Sequence, residues 1–506
     1  MTQGAPVGSP AEVETTSAVE VDPNSGLMLR LLTAWIALVA LVSFVTVPWL
    51  KPANQGDFTE PMIWFYHALM IPTVALFLIL CLRIFALRPW VSVVVGVGGM
   101  LDAALASIGC VLRGYGELYN VPSLSSFGIW VLLPGTLVMT LVVAVFVVGL
   151  GLETARPISG SRASREITWA LFLAGLSGIT WVAMGMVYAA SEVNISWAFW
   201  AHWQGESIST FLANIATSHS HGMLPSFMAG IVILAAEAFG YSVLGGTRKQ
   251  VARLGVGVML VGIALYSGVY LVSGIGTYAI PAWFPSGPGG VNGIAMDDSM
   301  TGLVGIGALI LAGAMLPEVR MSFRRARSKL RDRFNPVRAS VYLTYVMAAG
   351  AMFFYGFWIE MNEAKFGFNS LPASGAIDDQ IFTRSHLLFV FGSLPIIAVF
   401  LLATEIAGDT SGIGATLRKW MSGSIVAGMF VTLLGMGIWV FSTPGHQLNW
   451  GHGSAGEVIY IVGQALIVLG AFIGLFTVRS ASSANNEDRL VAPPEEAEVA
   501  LAAQPS

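Results

Sequence analysis

The sequence predicts an all-α polytopic membrane protein with twelve transmembrane helices, grouped as three pseudo-symmetric four-helix units. Composition, the spacing of apolar runs and the placement of basic residues all lead there. Hydrophobic residues make up 55% of the 506 residues and charged residues 11%, with a mean hydropathy of +0.73. A soluble domain carries about 25% charged residues.

A helix crossing roughly 30 Å of hydrocarbon needs about 20 apolar residues. Runs of that kind occur near 29–50, 61–85, 90–112, 126–151, 167–190, 208–240, 254–280, 299–317, 339–360, 382–406, 421–441 and 455–478. The connections that carry Arg83 and Arg88, Arg156, Arg162 and Arg165, Arg248, Lys249 and Arg253, Arg320 through Arg338, and Arg418 and Lys419 are basic. They alternate with neutral or acidic connections around 51–60, 192–207, 281–298, 361–380 and 442–454. The positive-inside rule then places both termini in the cytoplasm and the protein in the plasma membrane. Residues 29–478 are expected to form one membrane domain, flanked by disordered cytoplasmic tails at 1–28 and 479–506. The acidic N-terminal segment lacks the pattern of a secretory signal, so the first helix is expected to be an uncleaved span.

The net charge of −4, with its basic residues concentrated in MSFRRARSKLRDRFNPVR, fits a cytoplasmic loop beside anionic lipid and excludes a nucleic-acid partner. The two cysteines, Cys81 and Cys110, belong to opposite ends of neighbouring spans. At about 1.5 Å of rise per residue some 20 Å separates them, too far for a disulfide. Thiolate-ligated haem and iron–sulfur chemistry are correspondingly not expected.

Three of the spans repeat a pattern. FYHALMIPTVALFLILCLRIF, SHSHGMLPSFMAGIVILAAEAFGY and RSHLLFVFGSLPIIAVFLLATEIAGD each place a histidine near the outer start, a proline further in, and then a dense apolar run. They are spans two, six and ten, four helices apart each time. Three such helices entering from the same side imply three similar faces around a shared centre. All seven histidines, His67, His202, His219, His221, His386, His446 and His452, fall at or just outside that one end. Imidazoles held in one shallow layer on several helices point to bound haem or metal.

On these residues the chain resembles the haem-copper oxidase superfamily, the main subunits of cytochrome oxidases and nitric oxide reductases. The resemblance covers roughly residues 29–478 in topology and is local in sequence, as in SHSHGMLPSFMAGIVILA. It implies twelve helices, cytoplasmic termini, and histidine ligands near the outer ends of helices two, six and ten, that of helix six being a copper ligand in the family. His67 matches the low-spin haem ligand of helix two. His386 stands where family members carry a His-x-His pair, and the pair here, His219 and His221, lies on helix six. The segment PAWFPSGPGGVNGIAMDDS lacks the consecutive histidines of the family's copper site. The chain therefore reads as a divergent member without the usual copper pair.

Successive helical residues turn by about 100°, so His219 and His221 face opposite sides of one helix. Two haems of the b type flanking helix six, with His67 and His386 as the opposing ligands, satisfy that geometry. Hydrogen-bonded core histidines are the plainer reading of the same four residues.

His202 precedes Glu206 by four residues, one helical turn, and the pair suits a non-haem metal or a proton relay. It also suits an interfacial position beside Trp200 and Trp203. His446 and His452 flank a Gly/Pro-bearing outer loop, where they either converge on copper or a haem propionate or stand solvated. His202, His446 and His452 together would supply three imidazoles for copper or non-haem iron. Asp102 lies mid-span, so it is either a proton-relay carboxyl or a neutral hydrogen-bonded one. Glu237 and Glu405, at the cytoplasmic ends of spans six and ten, are expected to be interface charges.

The resulting expectation is a haem-binding redox subunit that takes electrons from a quinol or a cytochrome and passes them to NO, O2 or a partner. His202 and Glu206 are its candidate catalytic pair. No C-x-x-C-H motif occurs, so a cytochrome c or cupredoxin donor must be another chain. The alternatives are a non-catalytic haem- and copper-binding protein of nitric oxide response, and a twelve-helix secondary transporter.

Overall fold

A computed structural model of the chain describes residues 23–46, 59–85, 87–156, 164–193, 207–275, 301–316, 336–353, 393–407, 412–442 and 455–477. Those residues are all-α. Twelve α-helices and one 3-10 turn occur among them, and no strand. The helices are α1 (Pro23–Thr46), α2 (Thr59–Ile84), α3 (Pro89–Leu118), α4 (Pro122–Ala155), α5 (Arg165–Ser191) and α6 (Ile208–Ala238). They continue with α7 (Gly246–Ile275), α8 (Thr301–Leu316), α9 (Pro336–Phe353), α10 (Leu394–Ala407), α11 (Gly412–Ser442) and α12 (Ala455–Gly474). Each falls on one of the twelve apolar runs. The segments of α1 to α5 at Leu27–Phe44, Ile63–Ile84, Pro89–Leu118, Pro122–Ala155 and Arg165–Ser191 are long and apolar enough to cross a membrane.

Helix starts follow local chemistry. Pro89 and Pro122 open α3 and α4 at positions where a missing N–H costs nothing. The Ser164 side chain accepts the Ile167 N–H to cap α5. After α6 the chain turns through Gly240 at φ 95°, a left-handed conformation that favours glycine. The helices extend further into the basic segments than the apolar runs do. Arg248, Lys249 and Arg253 lie on α7 itself, and Arg418 and Lys419 on α11. Arg253 carries its charge toward water, whereas Arg418 is buried against Glu405.

Burial separates the helices into two groups. Of the five long apolar segments, that of α2 is 78% buried and the others 33–44%. Residues 224–236 of α6 and 397–405 of α10 are buried without a break. A helix apolar and buried all round sits inside a bundle. Accordingly α2, α6 and α10 contact one another, while α1 packs on both α2 and α12.

The surrounding pairs close on small residues. A Cβ at Gly109 of α3 would lie 2.7 Å from the Gly128 carbonyl oxygen of α4. The same 2.7 Å separates Gly255 of α7 from the Gly307 oxygen of α8, and Gly428 of α11 from the Gly463 oxygen of α12. Only glycine lets two backbones approach so closely, and without a hydrophobic drive between helices that approach is what binds them in lipid.

At the end opposite His67, Glu405 is paired on both oxygens, while Glu237 Oε2 has no hydrogen-bond partner among the described residues. Glu405 of α10 accepts from Arg338 Nε of α9 at 3.0 Å and from Arg418 Nη2 of α11 at 2.9 Å. Around α6, the Ser242 hydroxyl bonds Glu237, while Arg253, Lys249 and the Tyr241 hydroxyl gather on Glu166. Burial, and then the adjacent Glu166 carboxylate, push the Tyr241 phenol up. Glu405 thus joins α9, α10 and α11, and Glu237 is bonded to Ser242 in the turn that follows α6.

Candidate cofactor site

Proline in α2 shapes the local backbone. Pro72 has no N–H to offer the carbonyl four residues back, that of Ala68. The Ser107 hydroxyl of α3 donates to this carbonyl at 2.6 Å and accepts from Trp35 Nε1 of α1 at 3.0 Å. Three helices are therefore tied together beside His67, with no buried group of the trio left unpaired.

His67 is half-buried, between the rings of Trp64 and Tyr66, and its Nδ1 lies 2.7 Å from the Ile63 carbonyl. His219 of α6 is half-buried as well, with Nδ1 2.7 Å from the Trp181 carbonyl of α5. A carbonyl can only accept, so in both rings Nδ1 carries the proton and Nε2 keeps its lone pair. No hydrogen bond reaches either Nε2 among the described residues. The two rings are neighbours, their centroids 6.1 Å apart and their planes inclined by 16°.

Histidine ligands in metal sites are held through the remote nitrogen in this way, and so are hydrogen-bonded core histidines. A metal–imidazole bond is about 2.0–2.1 Å, which places two imidazoles on opposite sides of one ion with centroids roughly 6 Å apart. The centroid separation of the two rings matches that distance. Among the described residues no three His, Cys, Asp or Glu side chains converge as a metal site. A bis-histidine haem needs only the two.

His221 lies on α6, and its side chain is outside the described residues. His386, His202, Glu206, His446 and His452 are also outside them. Asp102 is 2% exposed on α3, and its Oδ1 has no hydrogen-bond partner among the described residues. Cys81 and Cys110 are buried free thiols.

Residues that no histidine pattern could single out meet Trp64, the neighbour of His67. Arg113 of α3 stacks over the Trp64 ring at 5.3 Å, and pairs with Glu117 at 3.3 Å and Glu192 at 3.0 Å. These three line a cavity of about 340 Å³ between the adjoining ends of α3, α4 and α5. A second, apolar cavity of about 60 Å³, lined by Val74, Phe77, Met223 and Phe227, lies further along α2 and α6. In VLRGYGEL the Arg113–Glu117 spacing of four is readable as a helical pair, but the stacking of Arg113 on Trp64 shows only when α2 and α3 are side by side.

No protein-family model matches the chain, and no curated protein matches it.

Proposed function

We propose that the protein is a membrane electron-transfer subunit in which His67 and His219 are the two axial ligands of one b-type haem. The observation that supports this most is the adjacent imidazole pair, each ring anchored through Nδ1 to a backbone carbonyl and each with Nε2 unused. Held by these two imidazoles, a haem would supply one-electron redox chemistry. The chain would then conduct electrons from a quinol or cytochrome toward an acceptor, NO, O2 or a partner protein, that reacts elsewhere.

The proposal includes twelve membrane crossings in three four-helix units. Its support is the central contact of α2, α6 and α10, spaced four helices apart, and the glycine contact repeated at α3/α4, α7/α8 and α11/α12. A transporter built from two six-helix halves has no reason for that spacing. His221, turned about 200° from His219, and His386 on the segment before α10 are the proposed ligands of a second haem. His202, Glu206, His446 and His452 stay candidates for a copper or non-haem iron site at the same end, and Asp102 for a proton relay.

The test is the spectrum of the purified chain. Wild type should show a low-spin Soret band and sharp reduced α-bands, with haem quantified as the pyridine haemochrome. His67→Ala and His219→Ala should each lose low-spin character and gain CO binding. A wild-type spectrum in both variants sinks the ligand assignment, and a chain without a Soret band returns the fold to the transporter class.

A further inference from the structure

His219 is held by an interlock between α5 and α6 that works in both directions. In α5 the Trp181 carbonyl already faces the N–H of Gly185, one turn on, and a carbonyl oxygen has a second lone pair for His219 Nδ1. The imidazole reaches it because position 185 has no side chain. A Cβ there would lie 2.5 Å from His219 Cε1 and 2.6 Å from Nδ1. In the other direction the Trp181 indole enters a notch at Gly222, three residues after His219. A Cβ at 222 would lie 2.2 Å from Trp181 Cδ2.

The indole is locked in turn. Trp181 is fully buried and its Nε1 donates to Ser177 Oγ at 3.1 Å. Ser226 gives its hydroxyl proton to the Gly222 carbonyl at 2.9 Å, so it must accept from Ser177, 2.7 Å away. Ser177 has then used its one proton, and Ser267 of α7 is the donor in the Ser267–Ser177 contact. With one donor and two acceptor sites per hydroxyl, Ser177 is saturated. The chain of contacts runs from α7 through Ser177 and Trp181 to the proton on His219 Nδ1.

We propose that Trp181, its indole seated by Gly222 and the Ser177 hydroxyl hub and its carbonyl left open to the imidazole by Gly185, is the positioning residue of His219: it fixes the Nδ1–H tautomer and presents Nε2 as a ligand. This rests on His219 being a ligand, and the test separates the two ideas. A carbonyl partner raises the basicity of the ligating nitrogen and lowers the potential of the bound metal.

In the full haem-loaded chain, Gly185→Ala should push the imidazole off the Trp181 carbonyl. The spectrum should turn high-spin with CO binding gained, haem retained through His67, and added imidazole restoring the low-spin bands. Ser177→Ala should stay low-spin with a raised midpoint potential, and Ser177→Thr should return it to the wild-type value. Wild-type spectra and potentials in both Gly185→Ala and Ser177→Ala, beside a changed His219→Ala, overturn the positioning role and leave ligation standing. If Gly185→Ala does not accumulate, Ser177→Ala decides alone. In protein that binds no haem, nitrogen NMR of the His219 ring reads the tautomer directly. Nδ1–H in wild type and a mixture in Gly185→Ala sustain the interlock although ligation has failed; a mixture in wild type overturns it.

Discussion

The two ends of the central helices treat buried polar groups differently. At the Arg-rich end Glu405, whose side chain is 3% exposed, has a cation on each oxygen, from Arg338 and Arg418. At the other end His67 and His219 each satisfy one ring nitrogen and leave the second without a hydrogen bond among the described residues. A fully paired group holds helices together, and nothing further can bind it. A group satisfied on one side only is oriented and still reactive. Saturation therefore distinguishes Glu405 from the candidate ligands although both are withdrawn from water, and Glu237, whose Oε2 has no hydrogen-bond partner among the described residues, falls between them.

The sharpest break of that comparison is Glu405→Ala. It removes the carboxylate that two guanidinium groups share, one of them 4% exposed, between α9, α10 and α11. Removing one partner of a buried ion pair costs about 3–5 kcal/mol. The thermal midpoint of the detergent-solubilised protein should fall by the largest margin of any single substitution discussed, and the absorption spectrum of the folded fraction should match wild type. His219→Ala should do the reverse, with a large spectral change and a small shift in midpoint. Equal thermal losses in the two variants would erase the distinction between the two ends.

A middle case lies beside His67. Ser107→Ala unpairs both the Ala68 carbonyl, already freed by Pro72, and Trp35 Nε1. A buried group left unsatisfied costs about 1–3 kcal/mol. In Pro72→Ala the helix regains an N–H for Ala68, so the same Ser107→Ala change should cost less in that background. A double-mutant cycle on thermal stability measures the difference; strict additivity would show that Ser107 does not serve the proline gap.

How much of this was legible beforehand depends on the kind of signal. The twelve helices were, because apolar runs of bilayer length and alternating basic connections are one-dimensional patterns. The central role of α2, α6 and α10 was legible too, through the repeated His and Pro. His67 and His219 were readable as ligand candidates, but their contact across 6.1 Å was not, because it depends on the rotation of two helices about their own axes. Gly185 and Gly222 were invisible among the 57 glycines. A notch has meaning only when the knob that fills it, His219 or Trp181, is known.

Asp102 gives the smallest expected effect on stability and tests the saturation rule at its limit. It is 2% exposed, and its Oδ1 has no partner among the described residues, so it meets the condition met by the histidines and not by Glu405. Asparagine keeps the shape and size of the side chain and removes only its capacity to take up and release a proton. If no ion pair depends on the carboxyl, Asp102→Asn should change stability by no more than about 0.5 kcal/mol, the usual range for a substitution that breaks no paired network. A relay role adds a second expectation: proton uptake on reduction should fall while the low-spin spectrum is unchanged. A loss of stability approaching that of Glu405→Ala would place Asp102 among the paired, structural groups. Unchanged stability with unchanged proton uptake would leave an unsaturated buried carboxyl without function, and saturation would then fail as the criterion that separates the two ends.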